Sequence, residues 1–224
     1  MYFGSTFVSL GMEHPKKVSA IVALVALSLA FFIPFAQVDT DPENMLSENE
    51  TVRIFHNAMK DEFQLNDMLV LGLVNEEHPD GVFNPSSLEK VHEIENFALG
   101  LEGLVEEDFL SPGTVDDIEN AGPGVISFSW LMKTPPKTRA EALHIRDRAK
   151  ENPLLHGTLV SEDGKALCLY FPLEEKNYSY GMAEKLKKKL SAMGGPEEFY
   201  ITGLPVAEDT FGVEMFIQMA ISAP

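Results

Sequence analysis

Catalysis and metal binding need side chains of suitable type gathered at one place, and the chemistry-bearing residues of this chain are dispersed. The six histidines, His14, His56, His78, His92, His144 and His156, lack metal-ligand spacing. His92-Glu93 has no second histidine one turn along to complete a zinc-binding helix. Counting Asp39 as the first position of a calcium loop puts Asp41, Glu43 and Glu50 at ligand positions and Leu46 at the apolar one. Asn44, however, stands where the sharp-turn glycine is needed and Pro42 interrupts the loop, so this stretch reads as a solvated acidic linker.

Other motifs fare no better. Gly122-Pro123-Gly124 is a turn and no phosphate loop, because neither Lys nor Ser/Thr follows in register. The serines lack a nucleophile-elbow context. Glu106-Glu107 and Asp116-Asp117 are neighbours in sequence and need not converge on a substrate. Lys185, Lys187, Lys188 and Lys189 read as a solvated helix face. Cys168 is the single cysteine, so no intrachain disulfide can form, and its apolar surroundings suggest a small buried residue. The expectation is a protein that is not an enzyme, with no catalytic, cofactor-binding or metal-ligating residue, no cofactor, and no substrate-path residue assignable from sequence.

Composition narrows the partners. Asp and Glu number 35 against 17 Lys and Arg, a formal charge of -18. Such a surface repels nucleic acid and anionic headgroups, so no nucleic-acid partner is expected.

The elements are organised around residues 18–35, VSAIVALVALSLAFFIPF, an uncharged run preceded by Lys16 and Lys17. As a helix it spans roughly 27 Å, close to a bilayer's hydrocarbon thickness. A transmembrane helix is therefore expected over residues 18–37. The lysines place residues 1–17 in the cytoplasm, or on its membrane face as an amphipathic segment, and the residues beyond the span outside. A cleaved signal peptide shares these features, but the core is long and Pro34 and Phe35 occupy positions that favour small residues.

Residues 38–65 read as an exit linker followed by a helix with Ile54, Phe55, Ala58 and Met59 on one face. Residues 68–74, MLVLGLV, form a continuous apolar run typical of a strand buried on both sides. A capping box at Ser86 and Glu89 opens a helix whose buried face is Leu88, Val91, Ile94 and Ala98. Residues 104–110 suggest a weaker strand. Residues 111–151 read as an insertion, with a helical turn over 114–118, an apolar patch at 125–132 around Trp130 expected to pack in the core or else to line a substrate path, and a helix capped by Thr138 and Glu141.

Asp163-Gly164 between the runs 157–161 and 165–171 signals a hairpin. Met182, Leu186, Leu190 and Met193 mark another helix, and residues 199–202 a last strand. The fold class is α+β: a ferredoxin-like βαββαβ domain over residues 66–204 after the N-terminal transmembrane helix. Residues 205–224 look like the start of a second transmembrane helix, cut short, or else a C-terminal helix packed on the domain.

The wording of these segments resembles a known family. An N-terminal span, VDTDPENMLSENETVRIFHNAMKDEF, MLVLGLV, NPLLHGTLVSEDGKALCLYFPLE and YITGLPVAEDTFGVEMF are similar to the first part of resistance-nodulation-division (RND) superfamily exporters, MMPL-like branch. The resemblance implies the first transmembrane helix and first porter domain of a proton-driven inner-membrane transporter that exports hydrophobic or amphiphilic molecules. The implied partners are the lipid bilayer, such a substrate and the remainder of the transporter, whose later helices would carry the proton-coupling acids. An expectation of another class is a membrane-anchored extracytoplasmic binding or scaffolding module without transport activity.

Overall fold

A computed structural model describes residues 12–32 and 42–222 of the chain. Residues 1–11, the last part of the expected span, and Asp39 and Asp41 of the calcium-like stretch lie outside the described residues. The chain divides into two units, Met1–Asp39 and Thr40–Pro224.

In the first unit, helix α1 (Pro15–Phe32) starts at a proline, whose missing N–H costs nothing in a first turn, and takes in Lys16 and Lys17. None of its residues is buried. Among the described helices it alone is long and apolar enough to cross a membrane.

The second unit is α+β. After a 3-10 turn at Pro42–Met45 come helix α2 (Thr51–Phe63), strand β1 (Asp67–Val74) and helix α3 (Pro85–Ala98). A ribbon of β2 (Asp116–Gly122) and β3 (Val125–Trp130) precedes helix α4 (Arg139–Glu151). Strand β4 (Ala166–Leu173), helix α5 (Tyr178–Met193), strand β5 (Glu198–Thr202) and helix α6 (Leu204–Ser222) complete it.

The main sheet is antiparallel in the order β4-β1-β5. Register places Leu71 opposite both Leu169 and Ile201, and Leu73 opposite Leu167 and Phe199. Because side chains alternate across a strand, Leu69, Leu71 and Leu73 share one face with Leu167, Leu169 and Phe171, and all six are fully buried. They join one core with Leu88, Val91 and Ile94 of α3 and Met182, Leu186 and Leu190 of α5.

The opposite face is only partly covered: Met68 and Tyr200 are exposed, Val70, Val74 and Cys168 are half-buried, and Pro172 is buried. The apolar run of β1 thus fills both faces of the strand but only one is fully packed, contrary to the expectation of a strand buried on both sides. Periodicity cannot tell the two cases apart when every residue is apolar.

Several other expectations are corrected. Residues 104–110 form no strand; Leu104 and Leu110 make isolated bridges to Leu173 and Tyr170 around the short 3-10 turn Glu106–Asp108. Residues 157–161 form no strand; Val160 makes isolated bridges to His156 and Leu167, although the turn is present, with Gly164 N–H donating to the Ser161 carbonyl at 3.0 Å. Helix α3 is capped by Asn84, whose side chain accepts from Ser87 N–H at 3.0 Å, with Pro85 at its first position. The cap lies two residues before the Ser86 box because asparagine with a following proline satisfies the same orphan donors. The Thr138–Glu141 box forms in both directions, each bond 3.2 Å.

Residues 116–122 are strand, overlapping the helical turn expected over 114–118. Gly122 (φ 142°) and Gly124 (φ 78°) supply the positive φ that the tight connection to β3 requires. The patch at 125–132 is likewise not core: only Leu131 and Met132 are buried, while Ile126, Phe128 (70% exposed) and Trp130 stand in solvent. Nor does α2 bury a single residue.

At the C-terminal side, Gly203 (φ 129°) lets the chain pass so close to β1 that a Cβ would strike the Met68 carbonyl oxygen and Leu69 Cα. Both obstacles are backbone atoms of the central strand and cannot swing aside. Gly203→Ala should therefore lower stability by at least about 2 kcal/mol, read as a reduced urea midpoint. A midpoint equal to that of the parent would show that the backbone yields at this crossing.

Candidate functional site

On the open face of the sheet the chain forms a groove of about 500 Å³. Its apolar wall is Leu65, Met68, Leu110, Leu154 and Tyr170. Each reaches it for a local reason. Met68 and Tyr170 occupy the outward positions of β1 and β4, and Leu110 is held beside Tyr170 by paired backbone bonds of 3.1 and 2.9 Å. Leu154 follows the end of α4, where Asn152 Oδ1 accepts from Leu154 N–H at 2.9 Å, and is 80% exposed. Leu65 follows Gln64, which ends α2 in the left-handed conformation (φ 50°).

Polar groups are confined to the rim: Asn66 Nδ2 donates to Asp108 Oδ2 at 3.3 Å, and the Tyr170 hydroxyl donates to the Thr158 carbonyl at 2.9 Å. An apolar trough with polar edges suits an apolar chain or ring; its one carboxylate, Asp108, is engaged by Asn66, and its Tyr170 hydroxyl by the Thr158 carbonyl. Sequence reasoning assigned none of these residues to a site. The signal available was the apolar occupancy of both alternating sets in 68–74, which says that the second set needs a partner of its own.

A second cluster tests whether buried chemistry exists elsewhere. Ser87, on α3, donates to Glu197 Oε1 at 2.6 Å and accepts from Asn75 and Asn84 amides at 3.2 and 2.8 Å. Lys90 Nζ pairs with Glu197 Oε2 and donates to the Gly194 carbonyl at 2.8 Å. A hydroxyl beside a lysine and a carboxylate has the composition of a nucleophilic site, but Ser87 is fully buried and its bonding capacity is taken. The cluster is a lock that fastens the start of β5 to α3. Burial opposes ionisation of Glu197, but hydrogen bonds from Lys90 and Ser87 outweigh it and hold the carboxyl below its ordinary range.

Glu95, also on α3, shows the opposite balance. Burial raises its pKa, although Oε1 accepts from Gly113 N–H at 2.7 Å and His92 Nδ1 lies 3.3 Å from Oε2. The remaining sequence candidates are not brought together. Asp117 pairs with Arg148 at 2.6 Å, and His78 Nδ1 accepts from Asp80 N–H at 3.1 Å. Lys189 reaches Glu93 at 3.3 Å, and Lys187 reaches Glu184 at 2.9 Å. Cys168 is half-buried on the open face, and burial pushes its thiol pKa up. Among the described residues no group of three His, Cys, Asp or Glu side chains could hold a metal ion.

Because the folded state raises the Glu95 pKa, the contribution of this residue to stability is complete below its ordinary, unfolded value and is lost as pH rises through the folded one. Glu95→Gln, which keeps an acceptor for Gly113 N–H, should melt higher than the parent at pH 8, the gain shrinking toward pH 4. An equal or lower melting temperature at pH 8 would show that burial does not govern this carboxyl. The Cys168 thiol should react with iodoacetamide at pH 7.5 more slowly in the native chain than in denaturant; equal rates would place it in open solvent.

Comparison of the chain with protein-family models and with curated proteins found no match.

Proposed function

We propose that this chain is the first span and first porter domain of an RND-type exporter of hydrophobic or amphiphilic molecules, anchored in the inner membrane by α1 with the second unit outside the cytoplasm. The observation that carries the proposal is the lateral order of the sheet. From one edge to the other it runs β5, β1, β4, with Leu104 and Leu110 bridging the free edge of β4. Taking residues 104–110 as a degenerate second strand, with α3 and α5 as the two helices on the packed face, yields the connectivity and order of a ferredoxin-like βαββαβ domain, into which the ribbon and α4 are inserted.

Further support comes from chemistry. Helix α1 exposes Ile21, Leu24, Leu27, Leu29 and Phe31 around its circumference, a distribution that lipid accommodates and water does not. The groove has an apolar wall, and its rim carboxylate and hydroxyl, Asp108 and Tyr170, are engaged in hydrogen bonds within the protein, which matches passage or holding of an apolar molecule better than its conversion. Helix α6 fits the start of a further span only in its second half. Its first half is held to the domain by bonds from Ser179 to Asp209 and from Lys176 to Glu208, and it carries Glu208, Asp209 and Glu214.

Orientation is testable with a cysteine placed at Leu154 in a Cys168→Ala background. A membrane-impermeant maleimide should label it in intact cells after outer-membrane permeabilisation; labelling only after lysis would overturn the extracytoplasmic placement. For transport, loss of the gene should raise retention of a neutral hydrophobic dye, and Met68→Asp in the groove should reproduce that effect at normal protein levels. Unchanged retention in the deletion strain would leave an anchored binding module as the better description.

A further inference from the structure

Helix α2 is amphipathic yet buries none of its residues. Val52, Phe55, Met59 and Phe63 recur every three or four residues and form one stripe, and Val52 (71%), Phe55 (63%) and Phe63 (66%) are all exposed. Arg53 and Lys60 are seven residues apart and therefore share another side, about a quarter-turn or more from the stripe. Both are tied to the protein. Arg53 donates to the Leu46 carbonyl at 2.7 Å and to Asn44 Oδ1 at 2.6 Å, and Lys60 pairs with Asp67, the first residue of β1, at 3.2 Å.

These ties fix how the helix is presented. The cationic side is held against the preceding turn and the following strand, and the stripe beside it is left exposed at Val52, Phe55 and Phe63. An exposed row of two phenylalanines and a valine beside a half-buried methionine is costly in water and requires a cover. Two features select the cover. The chain carries a formal charge of -18, which disfavours a second copy lying on this face. In addition, α2 follows the membrane-span candidate α1 by only residues 33–50, so any affinity for lipid acts intramolecularly and need not be strong.

We infer that α2 is an interfacial helix that lies in the plane of the bilayer crossed by α1, with Val52, Phe55, Met59 and Phe63 at the boundary between headgroups and acyl chains and Asn57 and Asp61 toward water. This rests on the reading of α1 as a span. An apolar stripe seated in this way enters about 5–10 Å below the headgroup surface. Given the charge of the chain, apolar burial rather than attraction to anionic lipid supplies the binding.

The test uses the full chain in a Cys168→Ala background, reconstituted in phosphatidylcholine vesicles containing nitroxide-labelled lipid. An environment-sensitive fluorophore is attached in turn to Val52→Cys, Phe55→Cys, Asn57→Cys, Asp61→Cys and, in α1, Val25→Cys. Positions 52 and 55 should show blue-shifted emission and quenching by the lipid nitroxide, whereas 57 and 61 should instead be quenched by aqueous iodide. If Val25 is quenched by lipid but 52 and 55 are open to iodide, the interfacial assignment is wrong and the span stands. If 52 and 55 are shielded from both quenchers, a protein surface covers the stripe and the inference also fails. If Val25, 52 and 55 all lie in water, the span and the inference fall together.

Discussion

Strand β1 is hydrogen-bonded along both edges, and the second unit depends on what this does to its side chains. Pairing with β4 and β5 aligns Leu69, Leu71 and Leu73 with the leucines, phenylalanines and isoleucine of its neighbours, so a single apolar sheet face forms that α3 and α5 must cover. Complete burial of Leu69, Leu71 and Leu73 supplies on the order of 2 kcal/mol each, provided the register holds. A slip by one residue would turn these leucines outward, which is why the close approach at Gly203 and the lock around Ser87 matter: both hold neighbouring segments in one position against β1 or α3.

The same constraint produces the groove. With helices on one face only, the outward set of β1 and β4 has no counterpart within the described unit, and Met68 and Tyr170 are left to be bordered by whatever loops lie nearby. Leu110 and Leu154 come from segments that would be plain connections in a smaller fold. The groove is thus a by-product of packing a sheet on one side, and its apolar character follows from the composition of the strands beneath it.

Buried polar groups divide the labour between rigidity and tuning. The Ser87, Asn75, Asn84, Glu197 and Lys90 set satisfies every hydrogen-bonding group it buries, and removing Lys90 would leave an uncompensated carboxylate at a cost of roughly 3 kcal/mol. Glu95 has no lysine partner and burial outweighs its hydrogen bonds, so it is held toward its neutral form and these carboxylates respond to pH in opposite senses. The exposed apolar surfaces, namely the groove, the β2–β3 ribbon and the stripe of α2, lie apart from these two carboxylates.

Much of the architecture was legible in the residues. The uncharged run that becomes α1, the Thr138–Glu141 box, the spacing of Met182, Leu186 and Leu190, and the apolar run of β1 are local patterns, and each specifies its element because propensity and periodicity act within a few residues. The Asn84 cap and the β2–β3 ribbon were less legible, since two capping patterns overlap at 84–89 and the glycine-flanked turn was the sole strong sign of the ribbon. What only tertiary structure decided is which apolar surfaces are covered. Lys90 and Glu197 stand 107 residues apart, and Met68, Leu110, Leu154 and Tyr170 meet only because antiparallel pairing brings distant segments to one sheet face. Sequence determines that a side chain is apolar, whereas its burial depends on whether another part of the chain arrives to cover it.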